Sequence, residues 1–457
     1  MSEEMQDWLK SRDSKDYFEL LRHQTVGTDP NRLRECVQAA TWLKKWLESI
    51  GAEASLVLPE RPSGARESVP VLVGELKGVG ASTVLFYGHY DVQPPDPLDQ
   101  WESDPFTPTV KGDRVYARGA QDDKGQFFAF LCGLRELVEG GARLPTVKFV
   151  IDGQEESGSV TLFKLLEDRE FRRRIAADVL LLSDSGAADD LRPAIVAGLR
   201  GINHFEVRLK AANRDLHSGE YGGIAPNAAQ GMAELMASLH NPDGSIAVEG
   251  FRDGIEPPTD DEIAAAEAGF ADADAIVADI GVEPCGGETG KSIVMRNGFE
   301  PTIEINGISA GYGGPGFKTV IPCEATAKLS TRLVPGQNPA HTFEAIKAHL
   351  RAHCPRGMEI SFPEDCGLSA ALRLPLASPL FRLAESLLAE MDPRGAVFLW
   401  DGASIPIVSA LRAATCAAPL IVGWGQPDDR IHSPNESFSL RQFSASKEWA
   451  KKILPAL

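Results

Sequence analysis

The chain predicts an α/β fold with a mainly parallel sheet, interrupted by a smaller α+β domain. Three observations carry this expectation. Over roughly the first 195 residues, helical periodicity alternates with short apolar runs, the pattern of helices layered on a mainly parallel sheet. After Pro193 the runs "NHFEVRLKA" (203–211) and "EATAKLSTRLV" (324–334) alternate polar and apolar residues, as a sheet with one wet face does. Near residue 376 the first style resumes with "AVFLWDGASIPIV" and "LIVGWG". Segments 1–196 and 376–457 are therefore expected to form one domain, and 197–375 the domain inserted into it.

The elements follow in order. Helices are expected at 3–24, 31–50, 124–140 and 159–173, and apolar strands at 70–76, 83–88, 145–152 and 178–183. Within the insertion, helices are expected at 226–240 and 341–353. The Ala/Asp/Glu-rich stretch 254–280 opens on Thr259 and Glu262 with capping-box spacing, which predicts short surface helices. A further helix is expected at 378–390. Gly311, Gly313 and Gly316 match G-x-G-x-x-G, but Pro315 lies inside the turn and "KTVIP" follows where a helix is needed. A glycine-rich turn is expected there, with no dinucleotide site.

Composition narrows the function classes. The 457 residues are 43% apolar and 24% charged, as in a soluble globular protein, and the net charge is −19. That acidity argues against nucleic acid or an anionic membrane as partner, because nothing would offset phosphate repulsion. No stretch approaches membrane-spanning length, and the charged N-terminal run "MSEEMQDWLKSRDSKDYFELL" lacks an apolar signal core. The seven cysteines include no Cys-x-x-Cys pair, so neither a disulfide framework nor a thiolate zinc site is indicated, and a reducing cytoplasm is expected. The sequon Asn435-Glu436-Ser437 is read as a chance match.

Chemistry concentrates where apolar strands end. "VLFYGHYDVQP" (84–94) runs Val84, Leu85, Phe86 and Tyr87 into Gly88, His89 and Asp91. "VKFVIDGQEESGS" runs a strand into Glu155 and Glu156, and "DVLLLSDSG" ends one on Asp184. "YARGAQDDKG" puts Asp122 and Asp123 just before a helix, and "DDRIHSPNE" places His432 in a polar loop. Taken singly, each is an ordinary turn, cap or surface residue. Their repetition at strand ends shifts the balance, because open α/β sheets place ligands beyond the carboxyl ends of their strands. Two imidazoles and three carboxylates suit Zn²⁺, with Mn²⁺ or Co²⁺ as alternatives. Five protein ligands are too many for one open catalytic zinc but suit two ions sharing a carboxylate, about 3.5–4 Å apart with hydroxide between them. Of the adjacent Glu155 and Glu156, one can face that water and the other a metal. On this reading Gly88 lets the chain turn so that His89 emerges at a metal.

"GHYDVQP", "ARGAQDDKG", "GQEESGS", "LSDSG", "RDLHSG" and "GWGQPDDRIHSPNE", in this order, resemble the M20 family of dinuclear metallopeptidases, most nearly its carnosinase-like cytosolic dipeptidases. The resemblance spans nearly the whole chain. It implies that His89, Asp122 and Asp184 hold one metal and Asp122, Glu156 and His432 the other, with Asp122 bridging. Asp91 would orient His89, and Glu155 would be general base and then acid. A cis peptide between Asp122 and Asp123 is also implied. The inserted domain would serve as lid and dimerisation domain, with His217 of "RDLHSG" reaching across a homodimer interface to stabilise the oxyanion. Arg332 would clamp the carboxylate of a short peptide substrate, helped by Ser404.

The sequence departs from these relatives in one respect: they carry another histidine near "EDCGLSAALRLPL", and here none lies between His353 and His432. The implied activity is hydrolysis of dipeptides or very short peptides by a metal-bridging hydroxide. An N-acyl amino acid amidohydrolase is the alternative on the same site. In the resembled family Asp at position 184 goes with aminopeptidase and dipeptidase types, and Glu with carboxypeptidase and deacylase types. A non-catalytic, metal-stabilised binding protein would be expected to lose Glu155 first, and Glu155 is present.

Overall fold

The computed structural model describes residues 2–59, 69–188, 191–270, 277, 280–363, 365–402 and 404–457. They divide into two compact units: Met1–Val196, Pro375–Leu399 and Ala410–Leu457 form the first, and Ala197–Leu374 with Trp400–Ser409 the second. The stretch Trp400–Ser409 thus falls differently from the boundary drawn from sequence. Its contacts explain why: the Trp400 ring packs on Phe299 at 5.3 Å, and the Gly402 carbonyl accepts from Arg200 Nε at 2.9 Å.

The first unit is built on a six-stranded sheet. In spatial order its strands are Glu53–Val57, Val71–Leu76, Thr146–Asp152, Thr83–His89, Val179–Leu182 and Ala418–Ile421. The last four pair in parallel, and the first two join antiparallel at one edge, so the sheet is mainly parallel. The Thr83–His89 strand lies between two parallel neighbours, and every residue from Val84 to His89 is buried. Burial on both faces is why this segment reads as an unbroken apolar run. Helix Lys124–Glu139 covers it, with the Phe86 and Phe130 rings stacked at 4.3 Å.

Gly88 has a different reason from the one its sequence suggests. The strand continues through it to His89, and a Cβ there would meet the Phe127 Cβ at 2.7 Å. Glycine is needed for close approach of helix and strand, not for a turn.

Two expected helices are each broken in two. Segment 3–24 forms Glu3–Trp8 and Arg12–Arg22, because Ser11 caps a new start by accepting from Ser14 N–H at 3.2 Å. Segment 159–173 forms Val160–Leu166 and Arg169–Ile175, with the Asp168 carboxylate accepting from Glu170 N–H at 3.0 Å.

A buried ionic cluster ties Arg12–Arg22 to Lys124–Glu139 and to the C-terminal helix Leu440–Ala456. Arg135, 2% exposed, pairs with Asp13 and donates to Asp16 at 2.6 Å, while Lys447 donates to Asp13 at 2.5 Å. Burial alone would raise the Asp13 pKa, but Lys447 and then Arg135 hold it below its ordinary 3.8. A depressed carboxylate stabilises the fold above its unfolded pKa, and that contribution is lost as pH falls through the folded value. Arg135→Met should therefore cost about 3 kcal/mol at neutral pH, because it takes the shared cation from Asp13 and Asp16 and leaves Asp13 with Lys447 alone. The difference from wild type should narrow below pH 3.8. Urea melts at several pH values check this, and a loss under about 1 kcal/mol, the scale of an exposed pair, would contradict it.

The second unit carries an antiparallel sheet in the order Thr302–Ala310, Glu324–Leu333, Gly201–Lys210, Glu359–Ser361, with Asp365–Ser369 also pairing with Gly201–Lys210. Helices Ala228–Ala237 and Pro339–Ala352 supply Met232, Leu235, Phe343 and Ile346 to a core shared with Phe205, Val207 and Leu209. The capping box of Thr259 and Glu262 opens helix Asp260–Gly269. The rest of the 254–280 reading lies partly outside the described residues. Gly311 and Gly316 sit at φ +68° and +80° in a turn after strand Thr302–Ala310, with no helix following.

Candidate metal centre

Three adjacent strands of the parallel sheet deliver chemistry at one edge. Thr83–His89 ends on His89, Thr146–Asp152 leads into the short helical turn Glu155–Ser157, and Val179–Leu182 leads to Asp184. The loop before helix Lys124–Glu139 presents Asp122, whose peptide bond to Asp123 is cis. His432 comes from the loop after the Pro427–Asp429 turn.

These side chains converge. His89 Nε2 lies 3.1 Å from Asp122 Oδ1 and 3.8 Å from Asp184 Oδ2. His432 Nε2 lies 2.9 Å from Asp122 Oδ2 and 3.4 Å from Glu156 Oε1. The two carboxylate oxygens of Asp122 thus face different imidazoles. Within each of the groups His89–Asp122–Asp184 and Asp122–Glu156–His432, the potential ligand atoms all lie within 4.8 Å of one another. All five residues belong to the first unit.

Asp91 organises the floor. His89 Nδ1 sits 3.3 Å from Asp91 Oδ1 and 3.2 Å from the Asp91 carbonyl oxygen. With the proton on Nδ1, Nε2 keeps its lone pair toward the carboxylates. The fully buried Asp91 carboxylate also accepts from the Glu155 and Glu156 N–H groups, each at 3.1 Å. One acid therefore sets both the His89 ring and the turn carrying the adjacent glutamates.

The electrostatics are those of crowded, half-buried acids. Burial raises Asp184 to about 7 and pushes Glu155 well above the usual carboxylate range. Burial also raises Glu156, aided by the Asp122 charge. Burial would likewise raise Asp122, but its hydrogen bonds to His432 and His89 hold it low. His432 is raised to about 10 by its bonds to Asp122 and Glu156. Acids packed this closely call for positive charge among them. Two imidazoles, three carboxylates and no thiolate match Zn²⁺, Mn²⁺ or Co²⁺, and the donor set fits two such cations sharing Asp122.

His432 is held in an unusual backbone state. Arg430, His432 and Asn435 have φ of 58°, 59° and 66°, a region that non-glycine residues seldom adopt. The loop is pinned on both sides. Gln442 Nε2 donates to Asp429 Oδ2 at 2.6 Å, and Arg114 pairs with Asp428 and Asp429. The Asn435 amide donates to Gln100 O at 2.9 Å and accepts from Glu102 N–H at 2.8 Å, so the sequon side chain is engaged at both ends. Such strain is sustained where surrounding structure over-determines it, commonly at functional sites.

The remaining sequence-derived candidates lie in the second unit. Arg332 Nη1 donates to Ser404 Oγ at 2.8 Å, so these two are brought together. His217 is exposed and caps the short helix Ser218–Tyr221. Its Nδ1 accepts from Gly219 N–H at 3.0 Å, which leaves the proton on Nε2 as a donor.

Sequence reading missed Gln93, which donates to Glu156 Oε2 at 2.7 Å, and it missed one contact of Asp123, whose Oδ2 accepts from His89 N–H at 3.2 Å. Both stand inside quoted motifs, which was the signal available for them.

Comparison with known proteins identifies the family. Residues 85–455 match the family model for peptidase family M20/M25/M40. The chain is 31% identical to the human Beta-Ala-His dipeptidase, over 86% of this chain and 79% of that one. It is 29% identical to the Cys-Gly metallodipeptidase of Schizosaccharomyces pombe, over 82% and 80%. Among solved structures, an M20 family metallo-carboxypeptidase from Sulfolobus solfataricus superposes with a TM-score of 0.86 at 26% identity, covering 98% of this chain and all (100%) of that one. Human carnosine dipeptidase 1 gives 0.83 at 27% identity, covering 98% and 96%. By the family match and by these relatives, the chain belongs to peptidase family M20/M25/M40, as its motifs suggest, and is an enzyme of that family.

Proposed function

We propose that the protein is a two-metal dipeptidase, with Zn²⁺ as its ion and Mn²⁺ or Co²⁺ as alternatives. The observation that carries this reading is Asp122, whose two oxygens each face one imidazole–carboxylate group. His89 and Asp184 would hold one ion, His432 and Glu156 the other, and Asp122 both. When bound, a pair of divalent cations polarises the scissile carbonyl and lowers the pKa of water. Glu155 stands at the same strand edge with no metal to hold, takes the water's proton and returns it to the leaving amine. Burial raises its pKa above the ordinary carboxylate value, the direction that favours a group which must accept a proton and hold it. Asp91 keeps His89 in the tautomer that coordinates.

Substrate recognition falls to the second unit, acting as lid and dimerisation domain. The Arg332 guanidinium, steadied by Ser404, binds the terminal carboxylate. His217 of the partner subunit donates from Nε2 to the developing oxyanion in a homodimer. Two features support assembly through this unit: Thr302–Ala310 is an edge strand, and Ile305 and Ile308 are 40% and 52% exposed on it. Cytoplasmic residence is supported by Cys36, Cys132, Cys285, Cys323, Cys354 and Cys416, which are all free.

The dipeptidase reading rests on the relatives' named activities and on Asp184. The test is a panel of dipeptides, tripeptides and N-acyl amino acids with metal-loaded protein. Dipeptides should turn over fastest, and faster turnover of N-acyl amino acids would reassign the substrate. Arg332→Ala should lower kcat/KM for dipeptides about 10- to 100-fold, the worth of a charged hydrogen bond. It should leave C-terminally amidated dipeptides unaffected. An equal loss on both substrates would remove Arg332 from carboxylate recognition.

A further inference from the structure

We infer that Glu436 is the positioning residue that aims the shared ligand Asp122, and that it links this ligand to the His432 loop. This inference rests on the two-cation reading above. The Glu436 carboxylate is 1% exposed, and both of its oxygens are spent on the loop that carries Asp122. Oε1 accepts from the backbone N–H groups of Gln121 at 2.9 Å and Asp122 at 3.1 Å. Oε2 accepts from Gly119 N–H at 2.9 Å and from Arg118 Nη1 at 2.7 Å. The Glu436 carbonyl oxygen also accepts from Ala117 N–H at 3.1 Å.

Every one of these bonds converges on Ala117–Asp122, and none is to an imidazole ring or a carboxylate of the centre. The arrangement is a carboxylate seated in a nest of backbone N–H groups, which fixes the direction of the peptide that follows. That peptide carries Asp122. Arg118 is itself 1% exposed and supplies the matching charge, which offsets part of the rise that burial gives the Glu436 pKa.

Glu436 also lies four residues after His432. Between them the chain passes through Asn435, left-handed and bonded at both ends of its amide. One short segment thus offers His432 to one side of Asp122 and braces the Asp122 backbone from the other. A shift of Glu436 displaces both oxygens of Asp122 together, whereas a change at His432 touches only one of them.

The test is a titration of the whole protein with Mn²⁺ by calorimetry, alongside thermal melts. Glu436→Gln turns an NH₂ group toward two of the four donors. It should weaken both ions by about 10- to 100-fold, the usual cost of losing a partner behind a ligand. His432→Ala should weaken one ion only. Glu436→Asp, which keeps the charge beside Arg118 but retracts it by one methylene, should also weaken both, and it decides the matter if the Gln variant does not fold. Leu388→Ala, a buried change in helix Pro379–Met391, serves as a control that lowers Tm without touching the centre.

Wild-type affinity at both sites in a folded Glu436 variant would overturn the inference, as would an equal loss in Leu388→Ala at matched Tm. If wild type binds two ions and His432→Ala loses one, the two-cation reading stands whatever Glu436 does. If wild type binds fewer than two, that reading fails first and the role of Glu436 with it.

Discussion

Glu155→Gln is expected to lower kcat by about 10²- to 10⁴-fold, the range that general acid–base catalysis contributes. Two ions should remain bound with little change in affinity. The substitution keeps the size of the side chain and removes its capacity to carry a proton in both directions. The backbone N–H of Glu155 would still donate to Asp91, so the turn that presents Glu156 should keep its place. Loss of turnover with the ions retained separates this residue from the five proposed ligands. Steady-state kinetics on a dipeptide, beside ion content by mass spectrometry, check both halves. Equal activity in the two proteins would remove Glu155 from proton transfer, and loss of ions would make it a ligand.

Asp122→Asn is expected to act on both ions at once. Asp122 Oδ1 lies 3.1 Å from His89 Nε2, and Oδ2 lies 2.9 Å from His432 Nε2. An amide offers one uncharged oxygen and one NH₂ group, so it holds one cation more weakly and repels the other. The bound count should fall below two per chain. Activity should fall by at least about 10³-fold, since several kcal/mol of charge stabilisation are lost with the paired site. Asp184→Asn and His432→Ala, which stand at opposite ends of the cluster, should each weaken a single ion. Equal damage from all three variants would contradict the sharing of Asp122.

Much of this centre was legible in the sequence, for a physical reason. A central parallel strand is buried on both faces, so Val84–Tyr87 stands out as an apolar run, and the polar residues that end it mark the sheet's functional edge. The same holds for Glu155 and Glu156 after Thr146–Asp152, and for Asp184 after Val179–Leu182. That His432 meets Asp122 came only from resemblance, because periodicity says nothing about a loop 310 positions away in the chain.

Other features were not legible because they are tertiary. Glu436 braces backbone groups more than 300 residues earlier, and nothing local distinguishes it from a surface acid. Gly88 reads as a turn former until Phe127 is seen packed against it. Ser11 and Asp168 break helices whose periodicity continues across the break, since a cap depends on one hydrogen bond and not on a pattern. Trp400–Ser409 reads as part of the resumed α/β pattern, yet Phe299 and Arg200 draw it into the second unit.

Anomalous diffraction from crystals grown with Mn²⁺ tests the sharing of Asp122 most directly. Two peaks per chain are expected, about 3.5–4 Å apart. One should touch His89 and Asp184, the other Glu156 and His432, and both should touch Asp122. A single peak at full occupancy, or two peaks without Asp122 between them, would contradict the account.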